Sequence, residues 1–366
     1  MANNTLFSPA ELGEIILKNR LVMAPMTRSR APGNIPTALM AEYYGQRAGA
    51  GLIITEGTSP SPNGLGYTNI PGIYNKEQTD AWKPVTAAVH AKGGHIFVQL
   101  MHTGRITHAL NLPEGSKVIA PSAIQAKGQM YTAEGMKPLP VPEEMDLTEI
   151  ELAQAEFVNA SINAISAGFD GVEMHAANGY LLEEFLSPRS NQRIDKYGGS
   201  PENRCRFVLE VAEEIAEAIG KDKVGLRISP YGRNGDMEPY EDLEETYRSL
   251  VRGLDDIGIV YLHVALPPLG ATYTLPEETK QMLRNEFSGT LIFCGGHTPE
   301  SAEKDLRQGM PDLIAFGKLF ISNPDLAERI QNNYPLDNKA DTATFYSGSV
   351  KGYTDYPVWN PGNSTK

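Results

Sequence analysis

Two cysteines, Cys205 and Cys294, are the only thiols in this chain. They are too few for a disulfide framework, for an all-cysteine iron–sulfur cluster or for a cysteine zinc site, and they fit a reducing compartment. Positive charge is also short: 32 Lys and Arg stand against 45 Asp and Glu, a formal net charge of −13. Such a field repels nucleic acid and anionic lipid, so neither is expected as a partner. No apolar run approaches transmembrane length, and the start M-A-N-N-T-L-F-S-P lacks the basic and apolar regions of a secretion signal. The expectation is a soluble, cytoplasmic protein. G-x-G-x-x-G is missing, which weakens a Rossmann reading, and no H-x-H or H-E-x-x-H spacing supports a metal site through His102, His175 and His263.

What the chain does have is alternation. With 366 residues, 41% hydrophobic and 21% charged, it can bury a sizeable core. Eight apolar runs, Leu21–Met26, Leu52–Thr58, His95–His102, Gly171–Ala177, Val224–Pro230, Val260–Leu266, Leu291–Gly296 and Leu313–Lys318, alternate with eight stretches of helical spacing. Those stretches are Ala38–Ala48, Asp80–Ala91, Glu149–Ala167, Asn203–Ile219, Leu243–Ile257, Glu277–Phe287, Pro299–Gln308 and Asp325–Asn332. Strands this uniformly apolar suggest burial on both faces, and eight β-then-α units close most simply into a TIM (β/α)8 barrel. Capping patterns at Thr148 with Glu151, at Ser200-Pro201 and at Thr298-Pro299 mark helix starts. An N-terminal hairpin around Leu6–Leu17, a Pro- and Gly-rich excursion over about 103–147, and a tail over about 334–366 complete a single domain spanning 1–366. An excursion of that length reads as a lid over the barrel's mouth.

TIM-barrel active sites lie at the C-terminal ends of the strands. Polar residues there become candidates: Thr27, Glu56 to Thr58, Gln99, His102, His175, Asn178, Arg227, Gly295-Gly296-His297 and Gly317-Lys318. The glycines after runs seven and eight, with Lys318 and the helix opening at Thr298-Pro299, suit a phosphate, although a glycine turn with a solvated lysine explains them equally well. Gln99 and Arg227 lie inside apolar strands, where they are costly unless paired. A buried ion-pair layer and recognition of a flat polar heterocycle are even readings. His175, Asn178 and Tyr180 read as structural filling, as donors to one oxygen with a phenol to deliver a proton, or as part of a metal site.

Long segments of the chain resemble the Old Yellow Enzymes, flavin-dependent ene-reductases, and especially their N-ethylmaleimide reductase branch. These are K-N-R-L-V-M-A-P-M-T-R from Lys18, V-Q-L-M-H-T-G-R from Val98, G-F-D-G-V-E-M-H-A-A-N-G-Y-L-L-E-E-F-L-S-P from Gly168, N-Q-R-I-D-K-Y-G-G-S-P-E-N-R from Asn191, L-R-I-S-P from Leu226 and A-F-G-K-L-F-I-S-N-P-D-L from Ala315. The resemblance covers nearly the whole chain and implies an FMN-binding TIM barrel that takes hydride from NADPH, as monomer or homodimer, and passes it to small activated alkenes. It implies that Thr27, with Pro25 and Met26 beside it, and Gly57 sit at the flavin ring, that Gln99 and Arg227 contact its pyrimidine end, and that Gly295, Gly296, Gly317 and Lys318 clamp its phosphate. By the same resemblance, His175 and Asn178 hold the substrate's carbonyl or nitro oxygen and Tyr180 is the proton donor. Tyr67, Met101 and Tyr346 fall in the substrate pocket. Met101 stands where many relatives carry tryptophan and Lys318 where arginine is usual, so a softer pocket and a looser phosphate grip are expected. Competing readings are another FMN- or metal-dependent barrel, or a non-catalytic barrel serving as a binding module.

Overall fold

The computed structural model describes residues 5–266 and 274–361. The first four residues of the N-terminal segment read above and the last five of the tail lie outside the described residues. Eight parallel strands close into a barrel: β1 (Leu21–Met23), β2 (Leu52–Ile54), β3 (Ile96–Leu100), β4 (Gly171–Ala176), β5 (Val224–Ile228), β6 (Tyr261–Ala265), β7 (Thr290–Cys294) and β8 (Leu313–Phe316), with β8 pairing back onto β1. The expected eight-unit TIM barrel is the observed fold.

Helices α1 (Ala38–Gln46), α2 (Lys76–His90), α3 (Leu147–Ser166), α4 (Leu181–Leu186), α5 (Pro201–Ile219), α6 (Leu243–Ile257), α7 (Glu277–Glu286), α8 (Pro299–Gln308), α9 (Lys318–Ser322) and α10 (Leu326–Gln331) surround it. Ser200 and Thr298 cap α5 and α8 as the sequence suggests, each side chain accepting a backbone N–H three residues on. At α3 the box sits two residues earlier than expected. Asp146, not Thr148, is the cap, and Glu149 reaches back to its N–H, because a carboxylate at a helix N-terminus also gains from the dipole.

Strands β1 and β2 are shorter than the apolar runs. After Ile54 the hydroxyl Oγ1 of Thr55 accepts the N–H of Gln99 at 3.2 Å, so a side chain replaces the ladder carbonyl, and only an isolated bridge, Thr58 with Leu100, continues the pairing. The hairpin Ala10–Leu12 and Ile15–Leu17 plugs the barrel floor: Ala10, Leu12 and Leu17 pack with Val22, Leu52, Ile54, Phe97, Tyr261 and Leu313 in one buried cluster. The larger cluster lies between barrel and helices, where Val98, Val172, Leu226 and Leu262 meet Phe157, Val208 and Leu250. Strands apolar on both faces therefore serve two cores.

Candidate active site

Successive side chains of a strand point to opposite faces, so every second residue of these strands enters the barrel. Phe97 and Tyr261 form the lower interior layer, with ring centroids 5.8 Å apart. Space for Tyr261 comes from Gly225 on β5, where an added Cβ would lie 2.1 Å from its ring. Two residues further along each strand the interior turns polar. Gln99 and Glu173 are register partners, as are Arg227 and His263. Glu173 is fully buried and accepts two hydrogen bonds, from Gln99 Nε2 at 2.8 Å and from His263 Nδ1 at 2.7 Å.

Burial alone would raise the Glu173 pKa and lower that of His263. The attraction between them, helped on Glu173 by the Arg227 guanidinium, reverses both directions, so the carboxyl is held below its ordinary value and the imidazole above. Both directions favour the ionised form of the pair. Arg227 also donates toward Cys294 Sγ at 3.8 Å, and the thiol is lowered: burial opposes ionisation, but His263 and Arg227 outweigh it. The ion-pair alternative for Gln99 and Arg227 is thus part of what the structure contains, with Glu173 as the hub. No alternation of apolar and polar residues pointed to Glu173, His263 or Cys294; their signal is the two-residue spacing to His175, Ala265 and Ile292 on inward-facing positions.

Three polar atoms at the top of this layer, Arg227 Nε, His263 Nε2 and His175 Nδ1, are buried without a protein hydrogen-bond partner. Unpaired buried polar atoms each cost roughly 1–3 kcal/mol, so a cluster of them beside a cavity is the signature of a layer completed by a bound polar group. A flat heterocycle with carbonyl and imino edges fits these donors.

Above the layer, β4 delivers His175, and the chain then turns over Asn178 and Gly179, both in the left-handed region at φ 61° and 81°. Asparagine and glycine are the residues that tolerate this conformation. The turn brings Tyr180 back against His175, with rings edge to face at 4.9 Å. The Tyr180 hydroxyl shares a 2.9 Å hydrogen bond with that of Tyr67. Burial holds His175 well below its ordinary pKa, with the Arg227 and His263 charges adding to this, so the imidazole is neutral. Burial, then Tyr67, holds the Tyr180 phenol well above its ordinary value, so it keeps its proton.

Both tyrosines face a cavity of about 620 Å³, of a size that admits small organic molecules. Thr27 borders it from the β1 loop and Tyr346, 68% exposed, from the tail. Ile106 and the strand Gln129–Thr132 of the long excursion supply another wall through Gln129, Met130 and Tyr131. The excursion thus does reach over the mouth, although its individual wall residues had no signal in the sequence. Met101 departs from expectation. It is 2% exposed and does not border the cavity; it packs behind Tyr67 and Tyr180, filling the space over Gly57, where an added Cβ would lie 2.4 Å from its Sδ.

Of the remaining candidates, Pro25 and Met26 follow β1, and Met26 Sδ lies 3.7 Å from where a Gly317 Cβ would stand, which joins the ends of β1 and β8. Gly295 and Gly296 have φ 146° and 66°, and a Cβ on Gly295 would meet the Leu266 carbonyl at 2.6 Å. Only glycine fits there. Lys318 opens α9 with its side chain exposed. The N-terminus of α8 is closed on itself: Thr298 and Ser301 cap one another reciprocally. Among the described residues, no three His, Cys, Asp or Glu side chains converge as metal ligands.

The NADH:flavin oxidoreductase / NADH oxidase family matches residues 5–337. The chain belongs to this family, that of the Old Yellow Enzymes. It is a flavin oxidoreductase whose cofactor is FMN. Among similar proteins, 12-oxophytodienoate reductase 7 of Oryza sativa subsp. japonica is 43% identical, over 96% of this chain and 94% of the relative. A probable flavin mononucleotide-dependent alkene reductase of Leishmania infantum is 41% identical over 97% of each. The structure of morphinone reductase in complex with tetrahydroNAD superposes with a TM-score of 0.93 at 42% identity, covering 99% of both chains. The polar layer and the cavity above it lie at the C-terminal end of the barrel strands, the end where TIM-barrel active sites are built. Among the described residues no helix is long and apolar enough to cross a membrane.

Proposed function

We propose that this enzyme reduces the carbon–carbon double bond of activated alkenes, namely α,β-unsaturated carbonyls, maleimides and nitroalkenes, at the expense of NADPH in the cytoplasm. One observation carries the reading: a neutral imidazole, His175, stands against a phenol kept protonated, Tyr180, at the wall of a cavity over unpaired flavin-type donors. The names of the relatives, an alkene reductase and a reductase of an oxophytodienoate, agree with it.

FMN, when bound, supplies the hydride that reaches the substrate's β-carbon. Gln99 and Arg227 would hold its pyrimidine end, Thr27 with Pro25, Met26 and Gly57 its ring, and Gly295, Gly296, Gly317 and Lys318 its phosphate. Addition of hydride drives negative charge onto the carbonyl or nitro oxygen. His175 and Asn178 donate to that oxygen, and donors fixed in place stabilise the charge more in the transition state than in the ground state. Tyr180 then gives its proton to the α-carbon. Tyr67, hydrogen-bonded to Tyr180, holds the phenol in register. The wall of Met130 and Tyr131 with Tyr346 opposite excludes water from the reacting atoms.

Anaerobic reduction of the yellow holoenzyme with NADPH, and in parallel with NADH, followed by reoxidation with 2-cyclohexenone or N-ethylmaleimide tests the reading. Bleaching followed by return of the flavin spectrum is expected, faster from NADPH. Removing one oxyanion-type donor costs about 10²–10³ in rate, so His175→Ala is expected to lose that much enone turnover while retaining FMN. Failure of every enone, maleimide and nitro compound to reoxidise the flavin would overturn the proposal.

A further inference from the structure

We propose that the buried carboxylate of Glu183, unused in the steps above, is a positioning residue that locks the turn presenting Asn178 and Tyr180 and makes that presentation depend on its ionisation. The inference rests on the reading that Asn178 grips a substrate oxygen. Glu183 lies on α4, 5% exposed. Its Oε2 accepts the N–H of Gly179 at 2.6 Å. Its Oε1 accepts the hydroxyls of Ser229 at 2.8 Å and Tyr247 at 3.1 Å. Ser229 Oγ in turn accepts the N–H of Asn178 at 2.9 Å. Both backbone N–H groups of the left-handed turn therefore end, directly or through one hydroxyl, on one carboxylate.

A left-handed non-glycine residue persists only where its surroundings over-determine it. Glu183 does this from below, and the Asn234–Gly235 backbone does it from above. A Cβ on Gly179 would lie 2.7 Å from Gly235 Cα, so the turn has no room to slide outward. Asn234 Nδ2 donates to Asn178 Oδ1 at 3.0 Å, which leaves the Asn178 amide N–H₂ as the group offered to a ligand. Every contact of the Glu183 carboxylate is a donor pointing at it. A proton on Oε1 faces two hydroxyl donors, so one must turn to accept it; when the nearer, Ser229, does so, the hydroxyl that holds the Asn178 N–H is redirected and that hold loosens.

The groups facing Glu183 set the pH at which this occurs. Burial pushes its pKa up to about 7, against the pull of Gly179 N–H, Ser229 and Tyr247. Tyr240, before α6, senses the Glu183 charge, as does Glu184, the neighbour on α4, which burial pushes up to about 8. Glu238 borders the same small cavity. A raised carboxyl favours the fold in its protonated form, so ionising Glu183 costs stability as pH rises through about 7. The ionised, turn-locking form is maintained at the expense of stability, as is common at functional sites.

The probe is 2-cyclohexenone titrated into the oxidised FMN holoenzyme, followed by perturbation of the flavin spectrum, from pH 5.5 to 8.5. The expected result is a Kd that tightens about tenfold across pH 7, the scale of one hydrogen bond. Glu183→Gln should show the weak Kd at every pH, because its amide puts N–H₂ against a donor. Tyr247→Phe, which removes a donor favouring the carboxylate, should move the midpoint upward. If Glu183→Gln does not load FMN, the midpoint in Tyr247→Phe decides. A wild-type Kd and pH step in Glu183→Gln, or an unmoved midpoint in Tyr247→Phe, overturns the proposal alone while Asn178→Ala still weakens binding. A wild-type Kd in Asn178→Ala overturns the reading of the mouth and this inference with it.

Discussion

Replacing Glu173 by glutamine tests the claim that an ionised pair, not an apolar plug, supports the cofactor layer. Glu173 is 0% exposed and accepts two bonds, from Gln99 and His263. The glutamine oxygen keeps one acceptor, while its N–H₂ meets a donor at the other. Removing one partner of a buried pair costs about 3–5 kcal/mol, and the retained acceptor favours the lower end, ~3 kcal/mol. An unfolding entropy of about 2.1 cal/mol/K per residue makes 1 kcal/mol worth ~1.3 °C in a chain of this length, so Tm should fall by ~4 °C at fixed FMN. The pH dependence is specific. Glu173 is depressed below 4.5, so its contribution is present above that value and lost as pH falls through the folded pKa; His263 is raised above 6.5, so its contribution is complete below 6.5 and lost as pH rises through the folded pKa. The gap between wild type and variant should therefore be widest at about pH 4.5–6.5 and shrink above it. Adding His263→Asn should recover part of the loss, since the imidazolium that Glu173 pairs directly is then gone and only Arg227 remains as a buried cation. Denaturation curves of wild type and Glu173→Gln that coincide across this range would refute the ionised pair.

Gly225→Ala places a Cβ 2.1 Å from the Tyr261 ring and should cost about 1–3 kcal/mol by overpacking, read as a lowered denaturation midpoint at unchanged m-value. Tyr180→Phe should leave flavin reduction by NADPH intact and slow reoxidation by 2-cyclohexenone by about 10²-fold or more, the usual worth of a general acid; stopped-flow measurement of the two half-reactions separates them, and an unchanged oxidative half-reaction removes Tyr180 as proton donor. Met101→Trp forces an indole into the space between Gly57 and the two tyrosines. The displaced Tyr67 and Tyr180 should lower kcat/KM for 2-cyclohexenone and N-ethylmaleimide alike, whereas a change confined to the bulkier substrate would mean that residue 101 touches the ligand.

Strand-scale features were legible because each is written locally. Eight apolar runs separated by helical spacing describe eight β/α units, and motif-length matches identify the family. Polar residues ending the fourth run mark the mouth, since a side chain such as His175 is uncommon in a buried strand. Less could be read where the deciding contact is tertiary. Glu173 and His263 sit inside runs that pass as apolar, and only barrel closure, which makes β3, β4, β5 and β6 neighbours, turns them into a pair. Met101 was expected in the pocket by resemblance, because it stands where many relatives carry tryptophan. The conformation of the β2 loop, which places Gly57 beneath it and Tyr67 in front, removes it from the surface. The wall formed by Met130 and Tyr131 arises from a two-stranded ribbon, Gln129–Thr132 with Gly135–Pro138, whose turn residues are visible in sequence but whose docking over the barrel is not.

One strand connects the two halves of the site. On β4, Glu173 points into the layer that would receive the pyrimidine end of the flavin, two residues later His175 packs against Tyr180 of the cavity wall, and the chain then enters the turn held by Glu183. The two carboxylates act in opposite electrostatic regimes: Glu173 is held ionised by buried cations, whereas Glu183 lies among neutral donors and titrates near neutrality. As pH falls toward 6 the Glu173–His263 pair keeps its charges, whereas on the proposed reading the grip on substrate oxygen weakens. If both assignments hold, lowering the pH from 8 to 6 should weaken enone binding and leave FMN bound, so that the two sites, although one is built on β4 and the other on the turn that follows it, separate in a single titration.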